Sequence, residues 1–286
     1  MGSSAAVFVF IMLLTAPATA EPSWEDEARE GITAFNLGDY EQARALLESA
    51  YSSSKSEYVP DYKRAELLAW LGFVRRQGPD EREAIEPLEE AATLLPRTRG
   101  PQSPQLRRTV RHLAQVYSNS WNLPEAEKRF RQHLTIATAT LEPSDPEYLG
   151  AYNGMAHILV KRSKYSQAEP HLDEALRLLA QHHPNDGRTR AGLHLMHSRI
   201  LVHRGDTAQA KAVTEQALGY YTKAGEVSGQ ADAHDALANV MASAGRTAEA
   251  QQHYDRALEL LPDVPRYQAW RAEIESERRA LAETTP

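Results

Sequence analysis

Gly38-Asp39-Tyr40-Glu41-Gln42-Ala43, with Ala50 seven residues beyond Ala43, is the stretch on which the reading of this chain turns. The same two-alanine frame returns at Ala84 and Ala91 in Glu83-Ala84-Ile85-Glu86-Pro87-Leu88. It returns at Ala126 in Leu123-Pro124-Glu125-Ala126-Glu127, where His133 takes the second slot. Three more copies follow: Ala168 and Ala175 after Tyr165-Ser166-Gln167, Ala210 and Ala217 after Gly205-Asp206-Thr207, and Ala250 and Ala257 after Gly245-Arg246-Thr247. The steps between first alanines are 41, 42, 42, 42 and 40 residues. A fixed period of this size marks stacked supersecondary units, none of which can bury its apolar face alone.

Each unit has the same internal grammar. A small residue precedes the first alanine by twelve positions: Gly31, Gly72, Ala114, Ala156, Ser198 and Ala238. A large residue follows it by four in five units, at Leu47, Leu88, Phe130, Leu172 and Tyr254, while Thr214 is the weak case. Small residues let helices approach and large ones fill the space between them. Turns containing Gly or Pro join the two helices of most units, as in Leu37-Gly38-Asp39, Asn122-Leu123-Pro124 and Arg204-Gly205-Asp206. Pro60, Pro96, Pro101, Pro104, Pro143, Pro146, Pro184, Pro262 and Pro265 are expected between units, where helices stop. Pro87 and Pro170 fall early in second helices, where a proline does little damage.

This pattern resembles the tetratricopeptide repeat family over about residues 24–262. The step near 42, Glu86-Pro87-Leu88, Glu169-Pro170-His171 and the linker Leu141-Glu142-Pro143-Ser144-Asp145-Pro146-Glu147 look like the kinesin light chain type of repeat. The resemblance implies an all-α, right-handed α-solenoid of six helical hairpins, over about 24–57, 58–98, 103–142, 147–184, 187–225 and 228–262. Two departures stand out: Glu27 and Glu30 where apolar residues are usual, and His197-Ser198 in place of Leu-Gly or Leu-Ala. Val264, Tyr267, Trp270, Ile274 and Leu281 then form an apolar stripe at helical spacing. Residues 264–282 are expected to cap the exposed end of the array; a helix that docks on a partner or a second copy is the alternative.

The amino-terminal end reads as an export signal. Ala5 to Leu14 is an apolar run about half the length a membrane span needs. Ala18-Thr19-Ala20 has the small-x-small form of a cleavage site, so cleavage after Ala20 and a periplasmic or secreted product are expected. Met1-Gly2-Ser3-Ser4 lacks the usual basic residue, which leaves an uncleaved anchor or a cytosolic leader as alternatives. No other segment is long and apolar enough to span a membrane.

Net charge is -7, from 39 acidic and 32 basic residues, and the arginines nearest to a cluster are Arg107, Arg108 and Arg111. That balance argues against a nucleic-acid partner. With no cysteine the chain has no disulfide, thiolate metal site or thiol nucleophile. No phosphate-binding loop, nucleophile elbow or zinc-protease motif is present, so the expectation is a non-enzyme without cofactor. His194, His197 and His203 share one helix, but a metal site needs ligands from facing helices too, and the repeat puts His194 and His197 on packing positions.

In the family, first helices line a concave groove. The positions carried over from the resemblance are Ile32 and Phe35 in the first unit and Phe73 in the second. The third gives Arg108, Arg111, Gln115 and Asn119, the fourth Asn153, His157 and Lys161, the fifth Arg199 and His203, and the sixth Asp232, Asp235 and Asn239. The expected binding set is Arg108, Arg111, Gln115, Asn153, His157, Lys161, Arg199 and His203, facing a protein or peptide segment whose carboxylates would pair with the cations. The plain alternative is a solvated helix surface. An adaptor and a permanent subunit of an envelope assembly are both compatible with this groove.

Overall fold

The computed structural model describes residues 23–56 and 58–283; the expected export signal lies outside them. The chain divides into two compact units, with the boundary between Val59 and Pro60.

The first unit is one hairpin, α1 (Trp24–Leu37) and α2 (Tyr40–Ser54). Ser23 opens α1 by accepting from the Asp26 N–H, and Glu25, Asp26 and Glu27 complement the positive end of the helix dipole. Gly38 closes it in the left-handed region at φ 84°, and Asp39 at once opens α2 by accepting from the Gln42 N–H at 3.0 Å. Two consecutive residues thus stop one helix and start the next. The helices pack closely because position 31 has no side chain: a Cβ on Gly31 would stand 2.9 Å from Leu47 Cγ.

The second unit is an all-α solenoid of five hairpins and a terminal helix. The hairpins pair α3 (Asp61–Arg75) with α4 (Ile85–Thr98), α5 (Pro104–Asn119) with α6 (Leu123–Thr140), and α7 (Pro146–Lys161) with α8 (Tyr165–His182). They continue with α9 (Gly187–Arg204) and α10 (Thr207–Ala224), then α11 (Val227–Ser243) and α12 (Thr247–Leu260), and α13 (Pro265–Glu283) follows. Each second helix packs on the first helix of the next hairpin. First helices also touch one another, α3 on α5, α7 on α9 and α9 on α11, and Lys161 of α7 reaches the Ser118 carbonyl of α5, so that the first helices form one row.

Local chemistry explains the punctuation. Pro104 and Pro146 begin α5 and α7 behind the caps Ser103 and Asp145, where a missing N–H costs nothing. Gly205-Asp206 repeats the Gly38-Asp39 device. In the third and fourth hairpins the left-handed position is held by Trp121 (φ 59°) and Ser163 (φ 54°) instead of glycine. One expectation is corrected: Pro96 lies inside α4, which runs on to Thr98. A proline in the last turn removes a single hydrogen bond, and the buried Leu94 and Leu95 hold that turn in the core.

The core follows the repeat. Ala43, Ala84, Ala126, Ala168, Ala210 and Ala250 are all fully buried. A Cβ on Gly72 would meet Leu88 at 2.4 Å, and one on Gly154 would meet Phe130 at 2.6 Å. The array is closed by α13, whose fully buried Ile274 joins Tyr254, Ala257 and Leu261, with Tyr267 and Trp270 packed at the margin.

Candidate functional site

The face built by the first helices collects charged and aromatic side chains in a graded order. Trp70 and Phe73 lie on one side of α3, three residues apart, with ring centroids 5.5 Å apart in an edge-on pair. The Arg108 guanidinium from α5 stands over both rings, 4.6 Å from Trp70 and 4.4 Å from Phe73. The Phe73 ring also stacks on His112 at 4.6 Å, and Arg76 Nη1 bonds to His112 Nδ1. Burial, helped by Arg76, Arg111 and Arg108, pushes the His112 imidazole down to about 2. It is therefore neutral, as an acceptor from Arg76 must be.

Farther along, the Lys161 ammonium of α7 stands 4.7 Å above the Trp121 ring and donates to the Ser118 carbonyl at 3.3 Å. Burial beside Lys161 and Arg199 lowers His157 to about 4, so that it too is neutral near pH 7. Arg199 of α9 then pairs with Asp232 of α11 at 3.2 Å.

The three adjacent arginines of α5 do separate jobs. Arg107 is nearly buried, bonding Glu147 at 3.1 Å and Thr140 at 3.0 Å. Arg111 lies 3.9 Å from the same Glu147. Arg108 has no carboxylate within 4 Å among the described residues, and the same is true of Arg76 and Lys161. Arg111 shares the single charge of Glu147 with Arg107, and Arg199 pairs with Asp232, whereas Arg76, Arg108 and Lys161 have no ion-pair partner among the described residues.

The other expected site residues divide. Gln115 and Asn153 are half-buried, and their side chains make no hydrogen bond among the described residues. His203 is exposed and stacks on Tyr165 at 4.5 Å, at the end of α9 rather than mid-face. Phe73, expected in the groove, is only 3% exposed and forms the floor beneath Arg108. Trp70, Arg76, His112 and Glu147 had not been expected here. Spacing could have shown three of them: Trp70 and Arg76 flank Phe73 at i−3 and i+3, and His112 follows Arg108 at i+4. Among the described residues no group of three His, Asp or Glu side chains is placed to hold a metal ion, and no helix is long and apolar enough to cross a membrane.

Sequence profiles described as tetratricopeptide repeat match residues 29–104, 105–181 and 231–264, together well over half of the chain. The human protein O-mannosyl-transferase TMTC1 is 26% identical over 201 residues; the match takes in 70% of this chain and 20% of that protein. The chain thus spans about a fifth of the length of that relative. Among solved structures, BtubC (BKLC) from P. vanneervenii has a TM-score of 0.55 at 18% identity, covering 84% of this chain and 91% of its own. A putative kinesin light chain with nearly identical TPR-like repeats from Podosopora anserina has a TM-score of 0.53 at 19% identity, covering 69% of this chain and 95% of its own. At such identity these likenesses concern the fold.

Proposed function

The chain belongs to the tetratricopeptide repeat family, and from that premise we propose that it is an exported adaptor whose first-helix face captures an acidic segment of another protein. The fold is that of a protein–protein interaction scaffold. What supports an acidic segment is one observation: Arg108 and Lys161 are fixed over aromatic rings with no carboxylate of their own within 4 Å. A cation stacked on a ring is oriented in advance, so a ligand carboxylate meets charge-assisted donors without having to order them first. Gln115, two turns after Arg108 on α5, and Asn153, about two turns before Lys161 on α7, are half-buried and offer amide groups to a ligand backbone. Export rests on Ala5–Leu14 and Ala18-Thr19-Ala20 and places the adaptor in a periplasm or outside the cell.

No catalytic role is part of this reading. The likeness to a mannosyltransferase covers a fifth of that protein, and the residues of the first-helix face are suited to holding charge.

The test combines capture with fold control. The chain and its R108E/K161E variant are compared on an array of synthetic acidic peptides and for capture from an envelope fraction. Charge reversal is expected to abolish both, with helical circular dichroism intact. Undiminished capture would overturn the assignment. Amino-terminal sequencing of the exported product is expected to begin at Glu21.

A further inference from the structure

The first-helix face ends in charge of the opposite sign. Asp232 and Asp235 come from α11, and Glu273 and Glu277 from α13. Asp232 pairs with Arg199 at 3.2 Å, and Asp235, Glu273 and Glu277 lie within electrostatic reach of the same guanidinium. Glu277 accepts from the Asn239 amide at 3.3 Å, which ties α13 to α11.

Asp235 is the residue this arrangement leaves unexplained. It is 6% exposed, its side chain makes no hydrogen bond among the described residues, and its Oδ1 is wholly buried without a partner. A buried carboxyl oxygen is normally supplied with a donor. Burial and the charges of Glu277, Asp232 and Glu273 hold this carboxyl up to about 7, against the pull of Arg199. The half-buried Glu277 is raised as well, first by burial. Four carboxyl groups share the Arg199 guanidinium and the Asn239 amide, with Lys161 in electrostatic reach of Glu273, so acidic groups outnumber the cations and the Asp235 carboxyl is left without a donor.

We propose that the captured segment carries, beside its acidic residues, a lysine or arginine side chain that seats among Asp232, Asp235, Glu273 and Glu277. This rests on the capture of an acidic segment proposed above and makes the ligand bipolar. A side-chain cation fits better than a metal ion, because no three acidic or histidine groups among the described residues stand at ligating distance. An ammonium or guanidinium needs only dispersed acceptors: it brings donors to the carboxyl groups this end presents, and positive charge against the buried Asp235 carboxyl. Basic centre and acidic end also fix the direction in which the segment lies, since a reversed segment would set like charges together.

Fluorescence anisotropy of the full chain tests this with four labelled peptides of equal length: glutamate–alanine, arginine–alanine, and the two orders of a glutamate block joined to an arginine pair. One bipolar order is expected to bind about tenfold tighter than glutamate–alanine, the gain of one good charge-assisted contact. That ratio is expected to collapse toward one in D235N and in E273Q. Glu273 is exposed, so E273Q keeps the test valid if D235N disturbs the fold. A bipolar advantage that is absent, or that survives both variants, overturns the inference. Failure of glutamate–alanine to bind in an Arg108-dependent way defeats the acidic-segment reading instead. The acidic end then stands only if arginine–alanine binds the wild type and is lost in D235N and E273Q, and falls if it does not.

Discussion

The Thr214 hydroxyl lies 2.6 Å from the Ser198 hydroxyl, with Ser198 1% and Thr214 0% exposed. Thr214 is also 2.7 Å from the Ala210 carbonyl oxygen, and Ser198 is 3.4 Å from it. Where other units set a large apolar side chain against a small residue, this one seals two hydroxyls and a carbonyl into a small polar knot. T214V leaves Ser198 with one long contact and is expected to cost about 1–2 kcal/mol, the cost of stranding a buried polar group. S198A, which leaves Thr214 its bond to Ala210, is expected to cost less. The double variant should lose less than the sum, with a coupling of about 1 kcal/mol in urea denaturation. Strict additivity would mean that the hydroxyls do not interact.

A second prediction concerns Trp121, which is 55% exposed and held in the left-handed region at φ 59°. A β-carbon there costs roughly 1–2 kcal/mol, and glycine fills the corresponding position in the first, fifth and sixth hairpins. W121G is therefore expected to raise the melting temperature while weakening capture of acidic peptides, because Lys161 loses the ring that orients it. A variant with unchanged stability and unchanged capture would contradict both expectations.

These two cases show how far the sequence can be read. The period and the buried alanines were legible because packing selects on size, and size recurs at a fixed spacing. Thr214 and Ser198 were each visible as departures, yet nothing in the period says that two departures sixteen residues apart compensate one another. Arg108, Arg111, Lys161 and Arg199 were placed on the right helices. Which of them are paired depends on residues of other hairpins, Glu147 beside Arg111 and Asp232 beside Arg199, which a one-dimensional frame does not bring together. The Trp121 conformation was hidden as well, since a left-handed tryptophan leaves no compositional trace of the kind glycine leaves.

Glu147 carries the third prediction. It accepts from Arg107 at 3.1 Å, with His133 at 3.4 Å and Arg111 at 3.9 Å. The His133 hydrogen bond, with the charges of Arg107 and Arg111, lowers its carboxyl to about 2 against the opposing effect of burial. The Arg107 side chain is only 11% exposed, so E147Q leaves a nearly buried guanidinium uncompensated; a loss of about 3 kcal/mol is expected. Because the folded-state value lies below the ordinary 4.5, the ionised carboxylate contributes stability above that pH, lost as pH falls through about 2. The wild type should therefore approach E147Q in stability in strong acid; thermal melts in which the gap stays constant from pH 7 to pH 2 would refute this.

Asp235 gives the opposite sign. Its folded-state value of about 7 stands above the ordinary 3.8, so the native protein binds this proton more tightly than the unfolded chain does. The corresponding stability is complete below about pH 4 and is lost as pH rises through about 7. D235N imitates the protonated acid at every pH and removes this dependence. At about 1.4 kcal/mol for each pH unit between the folded and unfolded values, D235N should exceed the wild type by up to ~4 kcal/mol at pH 8 and match it near pH 4. His157 and His112, lowered to about 4 and about 2, weaken the fold as acid is added, but they do so in both proteins and cancel in the difference. The facing groups Arg199, Asp232, Glu273 and Glu277 are likewise common to both. Urea unfolding at pH 5, 6, 7 and 8 should show the two curves diverging upward in pH, whereas parallel curves would mean that Asp235 is ionised in the fold throughout and has found a donor.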